Sequence, residues 1–457
     1  MVLINPDYKK HKRKKPLKRS KTGFEVEFHL IDNKGIIQNK APELIEAVKK
    51  ANKNVPIIKE CGKNSIEIGC YPGVEAFNPA LDTINSVEII YETARKLGLF
   101  LYPFATYPGK FIEKFSDSPL YKIKEKIFGK EKFKIAPHCA AFHCHYTLPR
   151  GVFDTKTKNI RLMMNSKLSR SLLSSYNFAI AIDPVLSLFA QSSPFFRGVN
   201  LAKDSRIVVY RGGRKLKYNK GIYAELQQFG GLPPYKQTLT DLLDTQQRRW
   251  LRWEKLIKKV DSNANINKLY SSELDIGWNA LRINKLGTLE QRSMDINYLS
   301  IIFAIAILYK SCLKKIQREF IDVLPTDFGI SEAFKLEQGI LLIPPHSYVR
   351  NKLQFWSAYK GYNQKEMYNY TKRFFNFAKS VTPKKYNKLI KPLTEMIENK
   401  ESMSDKILKY ARRKGYLTNG KIGNRDACKL SLYYAEKFYD DLMKVEENLN
   451  LIKYSII

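Results

Sequence analysis

Three short stretches of the chain each hold two ionisable side chains two residues apart: Glu25 and Glu27, His143 and His145, and Glu290 and Arg292. Two residues is the repeat of a β-strand, whose successive side chains point to opposite faces. Over residues 22–30, Phe24, Val26 and Phe28 fall on one face and the two glutamates on the other, about 6.5–7 Å apart at the usual rise per residue. Carboxylates held side by side repel unless protons, Lys or Arg, or divalent cations lie between them. Over residues 137–148, His143 and His145 share a face opposite Phe142, Cys144 and Tyr146. Glu60 and Glu67 come from residues 57–69, which read as two short strands joined by a Gly-Lys-Asn turn. If these strands share one sheet, a single face carries five carboxylates, two imidazoles and a guanidinium. Such a face is costly to bury and well suited to chemistry.

Carboxylate oxygens with one histidine suit Mg²⁺ or Mn²⁺. Such ions would neutralise the face and hold a nucleoside triphosphate through its phosphates, with the planar fork of Arg292 meeting a phosphate or acyl-phosphate oxygen. There is no Gly-x-x-x-x-Gly-Lys-Ser/Thr loop and no kinase signature set, so an ATP site here is of another design. Zinc held by Cys139, His143 and His145 is an alternative on ligand type, although the segment lacks paired ligand spacing. His29, His138 and His346 read as structural, and no Gly-x-Ser-x-Gly elbow marks a hydrolase.

The elements that must position these groups are legible around them. Residues 42–51 read as a short helix and residues 78–97 as an amphipathic one ended by Gly98. Residues 99–104 read as a buried strand, and residues 116–134 as a basic, loop-like stretch with one helix. Residues 159–188 read as mostly helical with a break at Pro184. Arg206 and Arg211 lie close together in sequence. Residues 296–319 form a long helix, and from residue 322 onward the pattern is helical and basic. This divides the chain into a basic flexible arm (1–21), a catalytic domain (22–321) and a helical portion packed on it (322–457).

The net charge of +35, from 79 Lys and Arg against 44 Asp and Glu, favours anionic partners without choosing among nucleotides, acidic metabolites, nucleic acid and anionic lipid. The arm at residues 9–21 carries the specific argument for nucleic acid, but no RRM, KH or zinc-finger signature supports it. At 44% hydrophobic residues the chain can bury a substantial core. Six sparse cysteines without a Cys-x-x-Cys pair, and no apolar leader, fit reduced thiols in a cytoplasmic protein. The longest apolar run, residues 299–308, fits a buried helix and is too short for a membrane span.

Five segments, in order, resemble the glutamate–cysteine ligase type 2 family, the carboxylate–amine ligases of glutamine-synthetase-like fold. They are Gly23-Phe-Glu-Val-Glu-Phe, the Glu60/Glu67 pair, Phe142-His-Cys-His-Tyr, Gln191-Ser-Ser-Pro-Phe-Phe-Arg-Gly with the later Tyr210-Arg211, and Gly287-Thr-Leu-Glu-Gln-Arg. The resemblance covers about residues 22–308. Tyr107 departs from it where the family often has His, as does the loop at residues 200–206. It implies an α+β fold, a curved antiparallel sheet with helices on its outer side and ATP with Mg²⁺ on the inner one. It implies phosphorylation of a substrate carboxylate, glutamate in the type case, to an acyl phosphate from which an amine, cysteine in the type case, displaces phosphate. A γ-glutamyl ligase using another amine is the nearest alternative. Position by position, Glu27, Glu60 and Glu67 would hold one metal and Glu25, His143 and Glu290 another. Arg292 and Glu290 would be catalytic, and His145, Arg206 and Arg211 are candidates for substrate carboxylate or phosphate.

Overall fold

A computed structural model of the protein describes residues 20–454; the basic arm, apart from Ser20 and Lys21, lies outside the described residues. The main sheet has seven strands: β1 (Thr22–Asp32), β2 (Ile57–Lys59), β3 (Ser65–Gly69), β4 (Leu99–Tyr102), β5 (Ala141–Thr147), β6 (Leu281–Asn284) and β7 (Thr288–Asp295). Their order is β6-β7-β5-β1-β3-β2, every pair is antiparallel, and β4 also pairs with β1. The strand that opens the described chain is therefore the hub. Along one edge it meets β3; along the other it meets β5 through residues 22–26 and β4 through residues 29–32. The sheet is open, and the expected α+β class with a helical C-terminal part is what the chain adopts.

The two faces of β1 behave as its alternation dictates. Phe24, Val26 and Phe28 are buried beneath helices: Phe24 meets Phe303 of α1 (Leu299–Glu319), with ring centroids 5.7 Å apart, and Phe28 meets Phe438 of α2 (Asn424–Tyr454) at 5.3 Å. α1 is buried almost all round, as the apolar run 299–308 requires. One apolar core takes in side chains from Phe24 to Ile452, so the C-terminal helices pack directly on the sheet that carries the glutamates. No single helix is long and apolar enough to cross a membrane. All six cysteines are free thiols.

Two local expectations are refined. The region 159–188 is mostly helix, as expected, but its first residues are not: a two-strand hairpin (Phe153–Asp154 with Asn159–Ile160) and an irregular run precede the helix at Lys167–Ala181. That helix starts at Ser166, whose side chain and that of Ser169 cap each other's backbone. The break falls at Ile182, because Pro184 sits in the first turn of a second helix, Asp183–Ala190, bent 46° from the first. The segment after residue 321 is not wholly helical either, since Asp322–Pro325, Leu336–Glu337 and Ile340–Ile343 form a small sheet.

Phe438 is fully buried against β1. Phe438→Ala should lower the unfolding free energy by about 3–5 kcal/mol. Leu451→Ala, on an exposed part of the same helix, should change it by less than about 0.5 kcal/mol. Denaturant unfolding of both variants checks this.

Candidate active site

Strand register brings the ionisable pairs together. Glu27 lies opposite Glu67, Glu25 opposite His143, and Glu290 opposite His145. Glu25 Oε2 accepts from His143 Nδ1 at 2.9 Å, and Glu25 Oε1 lies 3.3 Å from His145 Nε2. Glu27 Oε2 accepts the Ala141 N–H at 2.7 Å, while its Oε1 stands 3.8 Å from His143 Nε2. Glu60 is fixed by the Cys61 N–H at 2.8 Å. Glu25, Glu27, Glu60, Glu67 and His143 floor a cavity of about 360 Å³ whose other walls carry Tyr121, Lys124, Arg206, Tyr210, Trp278 and Arg282.

Three groups of ligand atoms come within 4.8 Å of one another: Glu27–Glu60–Glu67, Glu25–Glu67–His143, and Glu25–His145–Glu290. The first is the trio named from the sequence. The expected second trio, Glu25–His143–Glu290, is divided between the other two. The reason is register: Glu290 is paired with His145, two residues along β5 from His143. Glu290 is, moreover, fully engaged. Arg282 grips it through Nε at 2.9 Å and Nη2 at 3.0 Å, Asn284 donates at 2.5 Å, and Arg292 closes on it from the same strand. A dication beside Glu290 would face two guanidiniums, so the two groups that share Glu67 are the ones fitted to metal.

The electrostatics agree. Burial, then repulsion from Glu60, pushes the Glu27 carboxyl well above its usual value, and burial, then Glu25, does the same to Glu67. Burial opposes ionisation of Glu290 too, but Arg282, Arg292 and His145 together hold its carboxyl far below the usual range. Burial is likewise overcome at Glu25, by His145 and His143. Burial and then Arg292 lower His143 to about 4, so its ring is neutral at physiological pH. Its Nε2 is buried with no hydrogen-bond partner and faces Glu27. An orphaned imidazole nitrogen among acids that resist ionisation is a donor set short of a cation, and hard oxygen donors with one nitrogen fit Mg²⁺ or Mn²⁺. The zinc alternative does not form: Cys139 joins none of the three groups, and burial pushes its thiol up, away from the thiolate that zinc needs.

No protein-family model matches the chain, and no curated protein matches its sequence. Solved structures do. The crystal structure of a bifunctional glutathione synthetase from Pasteurella multocida aligns with a TM-score of 0.54 at 10% identity, over 92% of this chain and 53% of that one. The chain thus spans about half the length of that relative. A glutamate–cysteine ligase from Francisella tularensis in complex with AMP aligns over 96% of this chain and 93% of its own, at 11% identity and a TM-score of 0.48.

The fold is the one seen in that glutathione synthetase structure.

Within this fold the remaining candidates separate. Arg206 lines the cavity, donates to the carbonyls of Ser293 and Met294 at 3.0 and 3.3 Å, and lies 5.0 Å over the Trp278 ring. Arg211, expected as a substrate-binding residue, is instead buried away from the cavity. It pairs with Asp183 at 2.9 Å and Gln354 at 2.6 Å, because the short helix Ser205–Arg211 turns the two arginines to different sides. His145 also fails as a direct contact: it lies beneath the floor between Glu25, Glu290 and Thr288 Oγ1 at 3.0 Å. His29 and His138 are structural, bonded to Asn64 at 3.1 Å and to Glu113 at 2.7 Å. Sequence reading missed Arg282 and Asn284. Their alternation with Leu281 and Ile283 is a strand signal, and it puts both on the same face of the sheet as Glu290.

Because Glu27 and Glu67 hold their protons to unusually high pH, a dication entering the cleft must displace them. Mn²⁺ affinity should therefore go on rising as the pH is raised above the ordinary carboxylate range, with net proton release on binding. Calorimetry in two buffers of different ionisation enthalpy measures this; binding without proton release would contradict it.

Proposed function

We propose that the protein is an ATP- and Mg²⁺-dependent carboxylate–amine ligase that uses glutamate as the carboxylate substrate. The observation that carries the reading is the convergence of Glu25, Glu27, Glu60, Glu67 and His143 with Arg292 around one cavity. Glu27, Glu60 and Glu67 would hold one Mg²⁺, and Glu25, Glu67 and His143 another. Bound there, magnesium would neutralise the triphosphate and so favour phosphoryl transfer.

The chain's own groups do the rest. The neutral His143 offers a lone pair rather than a charge. The fork of Arg292, held by Glu290, stands ready for charge on the transferring phosphoryl oxygens. Glu290 acts through its two arginines, as a positioning residue rather than a ligand. The half-enclosed cavity limits water around an acyl phosphate, which leaves an amine free to attack the acyl carbon and expel phosphate. Cysteine is the amine of the proposed reaction, and other amines define the γ-glutamyl ligase variant of it.

Phosphate release from ATP, measured with glutamate and a panel of amines including cysteine, tests the reaction. The expected outcome is Mg²⁺-dependent release stimulated by one amine; equal rates with and without every amine would reject it. Arg292→Ala should lower kcat by about 10²–10³-fold. Its unfolding midpoint should barely move, because Glu290 keeps Arg282 and Asn284 as partners. Glu290→Ala is the less informative change, since it strands two buried guanidiniums.

A further inference from the structure

Five cationic side chains line the cavity: Lys124, Arg206, Arg282, Lys285 and Arg292. Four have partners. Arg282 and Arg292 share Glu290, Arg206 donates to backbone carbonyls, and Lys285 pairs with Asp275 at 3.0 Å. Among the described residues Lys124 forms no hydrogen bond or ion pair; its one close contact is the Tyr121 ring, 5.9 Å from Nζ. It belongs to the helix Pro119–Phe128. That helix is anchored by its apolar side, where Ile123 is buried and Phe128 meets Trp253 with ring centroids 6.1 Å apart. Lys124 therefore reaches the cavity from the wall facing the sheet rather than from the sheet itself. Glu60 attracts it without forming an ion pair, while Arg292 and Arg282 repel it.

A half-buried ammonium with no counter-charge is costly, and burial pulls its pKa below the usual lysine value. The neighbouring Lys122, by contrast, lies exposed and pairs with Asp117 at 2.8 Å. No acid of the floor lies within ion-pair distance of Lys124, and the guanidiniums of Arg292 and Arg282 repel it. The group that completes this arrangement carries concentrated negative charge and lies between the helix and the floor.

We propose that Lys124 is a nucleotide-binding residue of the cleft, donating to a phosphate oxygen of the bound triphosphate from the side opposite the metal-holding carboxylates. This rests on the ligase reading. It adds that the phosphates are gripped between two walls, with the helical wall contributing a point charge that the sheet does not supply.

The test is calorimetric binding of Mg²⁺ with the non-hydrolysable analogue AMPPNP to the full chain and to Lys124→Met, which keeps the unbranched stem packed. Lys124→Met should weaken analogue binding about 10- to 100-fold, the range for a hydrogen bond to a charged group. Lys124→Arg should recover most of the loss. Mn²⁺ alone should bind Lys124→Met at least as tightly as the parent, and thermal unfolding should be unchanged. Equal analogue binding by parent and Lys124→Met would overturn the assignment. So would a loss confined to the KM for glutamate, which would make the residue a carboxylate contact. Failure of the parent itself to bind the analogue would instead strike the ligase reading.

Discussion

Five carboxylates gathered at one face of an antiparallel sheet repel one another, and the site follows from how that repulsion is contained. Glu25 is contained by two imidazoles. Glu290 is contained by two guanidiniums and an amide. Glu27, Glu60 and Glu67 have no cationic partner within ion-pair distance apart from His143, whose ring is neutral at physiological pH. The unbalanced charge is thus concentrated at one end of the cavity, where burial and mutual repulsion make Glu27 and Glu67 hold their protons. A dication relieves both effects together, which is why this end suits metal and the Glu290 end suits arginine.

The apolar face of β1 keeps this arrangement in place. Phe24, Val26 and Phe28 are buried against helices from the far end of the chain, so slipping the strand by one residue would drive Glu25 and Glu27 into the core and the aromatics into the cleft. Register and burial are one constraint. The C-terminal helices, which contribute none of the candidate metal ligands, act on the site through Phe438 and its neighbours by holding β1 in that register.

What could be read from the residues is what depends on period two. The alternation around Glu25, His143 and Glu290 identified three strands and the composition of their polar face, while the Glu27–Glu60–Glu67 group was implied by the family resemblance and not by the alternation. What could not be read depends on how segments meet. The register of β7 against β5 leaves no mark in composition, yet it decides that Glu290 sits with His145 and the arginines rather than with His143. Arg206 and Arg211 look equivalent in sequence and diverge because a single short helix turns one to the cavity and the other to Asp183. Lys124 was hidden in a basic stretch where lysines are common. Only the packing of its helix through Ile123 and Phe128 distinguishes it from the exposed Lys122.

The account stands or falls on cations lying among the acids that lack arginine partners. Diffraction from crystals soaked in Mn²⁺, recorded at the manganese edge, locates them directly. Anomalous peaks are predicted between Glu27, Glu60 and Glu67 and beside His143 with Glu25, and none between Glu290 and Arg282. Crystals that diffract well with the cleft free of anomalous density, or with manganese seated only at Glu290, would contradict the central claim.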